Sequence, residues 1–196
     1  MNASNLALFQ WLAAGSQPTP WVLSMASALA LWGAWLSAAV LGVALWRHRT
    51  DRAYLCVVAA AAGLASLLSH AIAIQLDVPR PFVLGLAPAY IAHAGRGSLP
   101  STHATVMFMV AAAFLLRPSL RRLGLPLLAV AAATGWARVY VGVHFPLDIV
   151  AGLLLGATVA GALATGLRVF HLFAARAVRS ADVGVGSADR SPWRHS

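Results

Sequence analysis

Long apolar segments alternate with short polar ones along this chain. Five of them are predicted as membrane-spanning helices, at residues 21–46, 53–74, 102–116, 123–143 and 149–167. The first carries no charged side chain. It is too long for the apolar core of a signal peptide, about 7–15 residues, and long enough for a span of about 20. The third is short and reaches the lower limit for a span only with Ser101 and Arg117 included. The pattern therefore predicts an all-α, polytopic membrane bundle.

Two further segments flank the five predicted spans. Residues 5–15 are apolar but too short to cross a membrane, so we expect a helix that lies in the interface or folds back between the spans. Residues 180–196 are polar and rich in Gly and Ser, and we expect them to be disordered. The predicted organisation is one membrane domain at 1–179 followed by a disordered tail at 180–196.

The composition agrees with a membrane protein. The chain is 60% hydrophobic and 10% charged, whereas an average globular protein is about 25% charged. The net charge of +9 comes from arginine alone, because the sequence contains no lysine. Most of this charge is explained by the excess of basic residues in cytoplasmic loops. Because no soluble basic module is present, nucleic acid is not an expected partner. A lone cysteine, Cys56, excludes an intramolecular disulfide and a zinc cluster.

The arginines predict the orientation of the bundle. Eleven arginines fall on one side, which we assign as cytoplasmic. They lie between spans one and two, between spans three and four, and after span five. They are Arg47, Arg49, Arg52, Arg117, Arg121, Arg122, Arg168, Arg176, Arg179, Arg190 and Arg194. The opposite side holds only Arg80, Arg96 and Arg138. Charged residues kept near span ends against this bias are candidates for function.

Three polar segments meet on that opposite side. They read PRPF at 79–82, PSTH at 100–103 and ARVYVGVHFPLD at 137–148. Arginine binds phosphate oxygens through a charged, bidentate fork, and the start of a helix offers free backbone N–H groups. Ser101 therefore either binds an anion or simply caps the helix of the third span.

His144 and Asp148 lie four residues apart. If a helix begins at Pro146, the carboxylate can hold one imidazole nitrogen and leave the other as a nucleophile. The alternative for Asp148 is a stabilising charge in the first turn of a helix. His103 alone is equally compatible with an interfacial histidine. Together, the three segments indicate a phosphate site more specifically than any one of them.

This combination resembles the type 2 phosphatidic acid phosphatase family, the membrane relatives of the vanadium haloperoxidases. That family has three motifs. The first is a lysine, six residues and Arg-Pro, the second is Pro-Ser-x-His, and the third is Ser-Arg followed by a histidine and an aspartate. The first motif ends in Arg-Pro, which this chain has at Arg80-Pro81. The second matches residues 100–103, and the third matches Arg138, His144 and Asp148. Two positions depart from the pattern: Ala73 replaces the lysine, and Ala137 replaces the serine.

The resemblance implies a lipid phosphatase that needs neither a metal nor another cofactor. It implies that His144 attacks phosphorus to form a phosphohistidine, that Asp148 orients His144, and that His103 protonates the leaving oxygen and then activates water. The expected phosphate-binding groups are Arg80, Arg138, Ser101, Thr102 and the backbone of Gly97 and Ser98. We also expect Arg96 to supply the charge of the missing lysine. The alternative for Arg96 is a mobile loop arginine that meets lipid headgroups.

The segments NLALFQWL and HAGRGSLPSTHAT are most similar to bacterial undecaprenyl pyrophosphate phosphatases. This similarity implies an enzyme of the bacterial inner (plasma) membrane, with its site facing the periplasm and undecaprenyl pyrophosphate as substrate. Phosphatidylglycerophosphate, phosphatidate and lipid A are alternative substrates for the same chemistry. An alternative of another class is a small transporter, or a structural membrane protein, whose arginines and histidines line a polar path.

Overall fold

A computed structural model describes residues 3–188 and contains six α-helices within that range. They are α1 (Ala3–Leu12), α2 (Pro20–Arg47), α3 (Arg52–Leu76), α4 (Thr102–Leu116), α5 (Arg121–Tyr140) and α6 (Pro146–Ala188). Short 3-10 turns at Arg49–Asp51 and Pro118–Leu120 precede α3 and α5. The described residues form no β-strand, which confirms the all-α prediction.

Four of the described segments are long and apolar enough to cross a membrane: 20–47, 49–76, 118–140 and 146–174. Helix α4 is the short apolar helix that the sequence indicated, with 15 residues. Nine of those residues are buried, because α3 and α5 pack against it. The chain is a multi-pass membrane protein in which α4 lies at the centre and carries its first turn to the end where the polar segments meet.

The chain divides into two compact units, Met1–Gly161 and Ala162–Ser196. The first contains every predicted site residue. In the second, the chain is helical up to Ala188. The predicted tail at 180–196 therefore begins within helical residues, while residues 189–196 lie outside the described part of the chain. Disorder of the tail stays a prediction.

Helix α6 lies very close to α4 within the first unit. A Cβ atom on Gly152 would be 2.7 Å from the carbonyl oxygen of Ser101, and a Cβ atom on Gly156 would overlap the carbonyl oxygen of Thr105. Only glycine fits at such a separation. This contact places the first turn of α6 beside the first turn of α4.

An ion pair joins two arginine-rich loops at the opposite end of the bundle. Arg117 donates from Nε (2.9 Å) and Nη2 (2.7 Å) to Oδ1 of Asp51, which is buried. Because Asp51 precedes α3 and Arg117 follows α4, the α2–α3 and α4–α5 connections lie at the same end. The loop after α3 and the turn after α5 are therefore at the other end.

Helix α1 packs beneath the turn that joins α5 to α6. The ring of Phe9 is fully buried, with its centroid 5.2 Å from that of Phe145. The side-chain oxygen of Asn5 accepts a hydrogen bond from the backbone N–H of Leu147 at 3.1 Å. These contacts support the turn that carries His144.

Candidate active site

A cavity of about 380 Å³ lies where α3, α4 and α5 meet the loop after α3 and the α5–α6 turn. Six of the eight predicted site residues line it: Arg80, Arg96, Thr102, His103, Arg138 and His144. They come from segments that are far apart in the sequence. The fold therefore brings the three predicted motifs to one place, with the other two predicted residues just behind the wall.

His144 and Asp148 form a buried pair across the start of α6. Oδ2 of Asp148 lies 3.3 Å from Nδ1 of His144 and accepts hydrogen bonds from the Phe145 N–H at 2.8 Å and the Ser98 hydroxyl at 2.5 Å. A carboxylate beside Nδ1 favours a proton on that nitrogen and leaves the lone pair on Nε2. This geometry suits a nucleophilic imidazole.

The charges around His144 keep its ring neutral. Burial, together with the nearby Arg138 and Arg80, lowers the pKa of His144 well below its ordinary value. The imidazole is thus unprotonated at neutral pH, which is the form that can attack an electrophile.

Arg80 reaches into the cavity from the loop after α3. It donates from Nη1 to the carbonyl oxygen of Val143 at 2.8 Å and from Nη2 to that of Gly97 at 3.1 Å. Nη1 also lies 3.0 Å from Nε2 of His144. Burial lowers the pKa of Arg80 to about 10, so the guanidinium remains positive at neutral pH. Its charge lies directly beside the candidate nucleophile.

Arg138 enters the cavity from the last turn of α5. It donates from Nη1 to the carbonyl oxygen of Ala30 on α2 at 3.0 Å, and Nη2 contacts Nε2 of His93 at 2.7 Å. His93 is not among the residues predicted from the sequence. Its only signal is its position in the polar loop before His103, since no motif spacing marks it.

His93 is a neutral member of the site. Burial and the charges of Arg80 and Arg138 lower its pKa to about 4. Its ring lies edge-on to that of His144, with centroids 5.9 Å apart. The cavity therefore holds two arginines beside neutral His93 and His144 at neutral pH.

Both buried arginines lack an acidic partner. Among the described residues, neither Arg80 nor Arg138 forms an ion pair with a carboxylate, and both Nε atoms are buried without a hydrogen-bond partner. Buried charges are normally paired because desolvation is expensive. Two guanidinium groups that face one cavity without forming an ion pair are therefore suited to an anionic ligand.

Ser101 and Ser98 take structural positions behind the cavity wall. Ser101 is fully buried and caps α4, because its side-chain oxygen accepts a hydrogen bond from the Ala104 N–H at 3.5 Å. The structure thus shows the helix cap that was one of the two alternatives for Ser101. Ser101 does not line the cavity. The Ser98 N–H donates to the carbonyl oxygen of Val78 at 3.0 Å. This hydrogen bond occupies the Ser98 N–H, and phosphate binding by the backbone of Gly97 and Ser98 stays a prediction. Thr102 does line the cavity, with its Oγ1 3.2 Å from Oγ of Ser69.

Comparison with known proteins decides the family. The chain matches the PAP2 superfamily over residues 53–170, a range that contains every predicted site residue. It belongs to the PAP2 superfamily. YbjG of Escherichia coli (strain K12), whose name assigns it to the undecaprenyl-diphosphatases, is 36% identical over 155 residues, 78% of this chain and 77% of that protein.

A second relative agrees with the family, and a solved structure shares the fold. Undecaprenyl-diphosphatase BcrC of Bacillus subtilis (strain 168) is 35% identical over 94 residues, 47% of this chain and 48% of that protein. The crystal structure of Aquifex aeolicus LpxE superposes with a TM-score of 0.69 at 22% identity, over 83% of this chain and 95% of that one. The protein is accordingly a hydrolase of the PAP2 lipid phosphatase family.

This PAP2 phosphatase departs from its family pattern at Ala73, and a loop covers that position. Gly97, with φ of 70°, passes so close that a Cβ atom on it would lie 3.7 Å from Cβ of Ala73. The preceding residue, Arg96, forms an ion pair with Asp77 at the edge of the cavity. The side chains of Arg96 and Asp77 are 75% and 48% exposed. The loop thus carries a cation to the mouth of the cavity above the position of the missing lysine.

One wall of the phosphatase cavity belongs to α3. His70, Ala73 and Ile74 line it, three and four residues apart on one face of the helix. Ile74 is 60% exposed. The wall therefore changes from polar at the arginines to apolar at the outer surface of the bundle.

Proposed function

We propose that this protein hydrolyses undecaprenyl pyrophosphate to undecaprenyl phosphate and inorganic phosphate through a phosphohistidine on His144. One observation carries the proposal: a buried, neutral His144 has Nδ1 beside the Asp148 carboxylate and Nε2 beside Arg80, in a cavity shared with His103 and Arg138. Phosphoryl transfer depends mainly on positioning and on positive charge around the transferred group, and this cavity supplies both.

In the first step, the lone pair on Nε2 of His144 attacks the terminal phosphorus. A P–N bond forms while the P–O bond to undecaprenyl phosphate breaks, and His103 gives a proton to the leaving oxygen. Arg80 and Arg138 contact the phosphoryl oxygens as charge builds up on them. Asp148 holds the imidazole through Nδ1 and stabilises the positive charge that the ring acquires.

In the second step, His103 takes a proton from a water molecule whose oxygen attacks the phosphorus. The P–N bond breaks, its electron pair returns to Nε2 of His144, and inorganic phosphate leaves. One histidine thus serves as the nucleophile and the other as acid and then base.

The choice of lipid draws support from the relatives and from the cavity wall. Two relatives at 36% and 35% identity are named as undecaprenyl-diphosphatases. The cavity runs from two arginines to the exposed Ile74 on α3, which suits a ligand with a phosphate head and a long hydrocarbon chain. Arg96, at the mouth, is proposed to meet the additional charge of a diphosphate. The proposed location is the bacterial inner membrane with the site on the periplasmic side.

A phosphate-release panel tests the proposed substrate. Purified protein in detergent with EDTA is given undecaprenyl pyrophosphate, phosphatidylglycerophosphate, phosphatidate or lipid A at matched concentrations. We expect the highest kcat/KM for undecaprenyl pyrophosphate. A higher value for another lipid would reject the substrate, and no release from any of them would favour the transporter alternative.

Acid–base lability of the labelled protein tests the intermediate. After a brief reaction with substrate carrying ³²P in the terminal phosphate, we expect protein-bound label that is lost in acid and retained in base. His144→Ala should carry none. Equal labelling of wild type and His144→Ala would reject the phosphohistidine.

A further inference from the structure

Arg138 is held in the cavity by two partners that carry no negative charge. Nη1 donates to the main-chain carbonyl of Ala30, and Nη2 contacts Nε2 of His93 at 2.7 Å. A guanidinium can only donate, so Nε2 of His93 must present its lone pair. The proton of the neutral ring then sits on Nδ1. This assignment follows from the contact together with the neutrality of the ring.

The neutrality of His93 matters because Arg138 is buried, with 2% of its surface exposed. A carboxylate at the same place would hold the guanidinium equally well, but it would cancel most of its charge and compete with a phosphoryl group for its N–H donors. An imidazole fixes the geometry and leaves the charge available. The low pKa of His93, which burial and both arginines produce, agrees with a ring that stays neutral during turnover.

We propose that His93 is a positioning residue that holds the Arg138 guanidinium at the cavity without neutralising its positive charge. The inference rests on the proposed function only in that the ligand of the cavity is a phosphoryl group. It assigns His93 no contact with the reacting atoms, and its effect on catalysis passes through Arg138.

Glutamine and glutamate at position 93 separate geometry from charge. Their side chains have the same shape, and each can place an oxygen near the position of the imidazole Nε2. We expect His93→Gln to keep kcat/KM and orthovanadate affinity within about threefold of wild type, because a neutral acceptor is retained. His93→Glu should bind orthovanadate at least about tenfold more weakly than His93→Gln, because the carboxylate neutralises Arg138. His93→Leu, which removes the acceptor, should lose about 10- to 100-fold in kcat/KM.

Orthovanadate binding is measured by isothermal titration calorimetry on detergent-purified protein, and folding of each variant is checked by size-exclusion chromatography and thermal unfolding. Equal affinities of the Gln and Glu variants would overturn the proposal. So would a folded His93→Gln protein as impaired as His93→Leu, since a neutral acceptor would then have failed to replace the imidazole.

His93→Gln and His93→Glu, each combined with Arg138→Ala, test whether His93 acts through Arg138. In these double variants we expect the orthovanadate affinities of the Gln and Glu proteins to differ by less than about threefold. The group that the carboxylate neutralises, Arg138, is then absent. An unchanged ratio would overturn the proposal, since the effect would then be a general field in the cavity.

His70 provides the matched control for this field. It lines the same cavity from α3, so His70→Gln and His70→Glu add the same charge difference without touching Arg138. The ratio of the orthovanadate affinities of His70→Gln and His70→Glu should be the same with and without Arg138. Because orthovanadate binding requires no lipid, a failed substrate proposal leaves this test intact, and a failed His93 proposal leaves the lipid panel intact.

Discussion

At the scale of single residues, the guanidinium of Arg80 lies beside both ring nitrogens of His144, the proposed nucleophile. Its Nη1 lies 3.0 Å from Nε2 of His144. When a phosphoryl group enters, the same N–H can turn to a phosphoryl oxygen and release the lone pair of the imidazole. Arg80 is thus expected to contact both His144 and the phosphoryl group of a bound substrate.

His103 has two proposed tasks that a change of leaving group separates. On phosphatidate, a lipid monophosphate whose leaving group is a strongly basic alkoxide, His103→Ala should slow turnover by about 10²–10⁴-fold through loss of general acid catalysis. A p-nitrophenyl phosphate substrate needs no protonation of its leaving group, so the first step should recover while water attack stays slow. We therefore expect phosphoenzyme to accumulate in His103→Ala with this substrate, measured by acid-free quench and ³²P counting. A variant equally slow on both substrates, without accumulation, would contradict the dual role.

Arg96 should act on diphosphates more than on monophosphates. An exposed ion pair such as Arg96–Asp77 stabilises by only about 0–1 kcal/mol, so a terminal phosphate can displace the carboxylate. We expect Arg96→Ala to lower kcat/KM for undecaprenyl pyrophosphate by about tenfold, less than the roughly 10²–10³-fold loss expected for the buried Arg80 in Arg80→Ala. Asp77→Asn should leave that kcat/KM unchanged or raise it. A loss below about threefold for Arg96→Ala, or an equal loss on a lipid monophosphate, would identify it as a loop arginine that does not bind substrate.

At the scale of elements, the contact between α4 and α6 sets the catalytic geometry. Ser101 caps α4, and its N–H donates to the carbonyl oxygen of Asp148 in the first turn of α6 at 3.0 Å. Gly152 and Gly156 allow the two helices to come this close. The separation of the helices therefore determines where Asp148 lies behind the cavity wall and, through Asp148, where His144 lies in the cavity.

Two glycines of α6 form a matched pair for testing this contact. Gly156→Ala should lower the apparent Tm and the kcat, because its Cβ overlaps the Thr105 carbonyl, and overpacking typically costs about 1–3 kcal/mol. Gly161→Ala has nothing within 4 Å of the new Cβ and should be neutral or stabilising by up to about 1 kcal/mol through helix propensity. Thermal unfolding in one detergent and steady-state kinetics compare the two. The same Tm for both variants would show that the close approach of α6 to α4 does not limit stability.

At the scale of the whole molecule, the two opposite ends of the bundle hold different sets of polar residues. One end holds the Asp51–Arg117 ion pair and the arginine-rich connections, and the other holds the cavity and α1. The uneven distribution of arginine indicates which end remains in the cytoplasm. The proposed periplasmic site follows from this asymmetry.

Cysteine labelling tests that orientation. Cys56 is exposed and must first be replaced, so single cysteines are introduced at Arg96 and Arg121 in a Cys56→Ser background. In intact spheroplasts, a membrane-impermeant maleimide should label Arg96→Cys, and it should label Arg121→Cys only after permeabilisation. Labelling of both positions from the same side would contradict the topology.

The sequence by itself determined the helical bundle, the five apolar segments and the predicted roles at His144 and Asp148. Hydropathy is a property of contiguous residues, and His144 lies only two residues before the helix that carries Asp148, so local geometry brings the two side chains together. The motif segments could therefore be identified without knowing how they approach one another. The all-α bundle and the family are confirmed, while the chemical roles stay predictions.

Only the tertiary structure decided which groups share the cavity and how each is held. Ser98 holds Asp148 across 50 positions of sequence, and His93 contacts Arg138 across 45. Packing turned Ser101 into a helix cap and gave Arg96 an acidic neighbour in Asp77. Hydrogen bonds between distant segments depend on how closely whole helices approach. That distance is set by packing across the bundle, and no local pattern in the sequence records it.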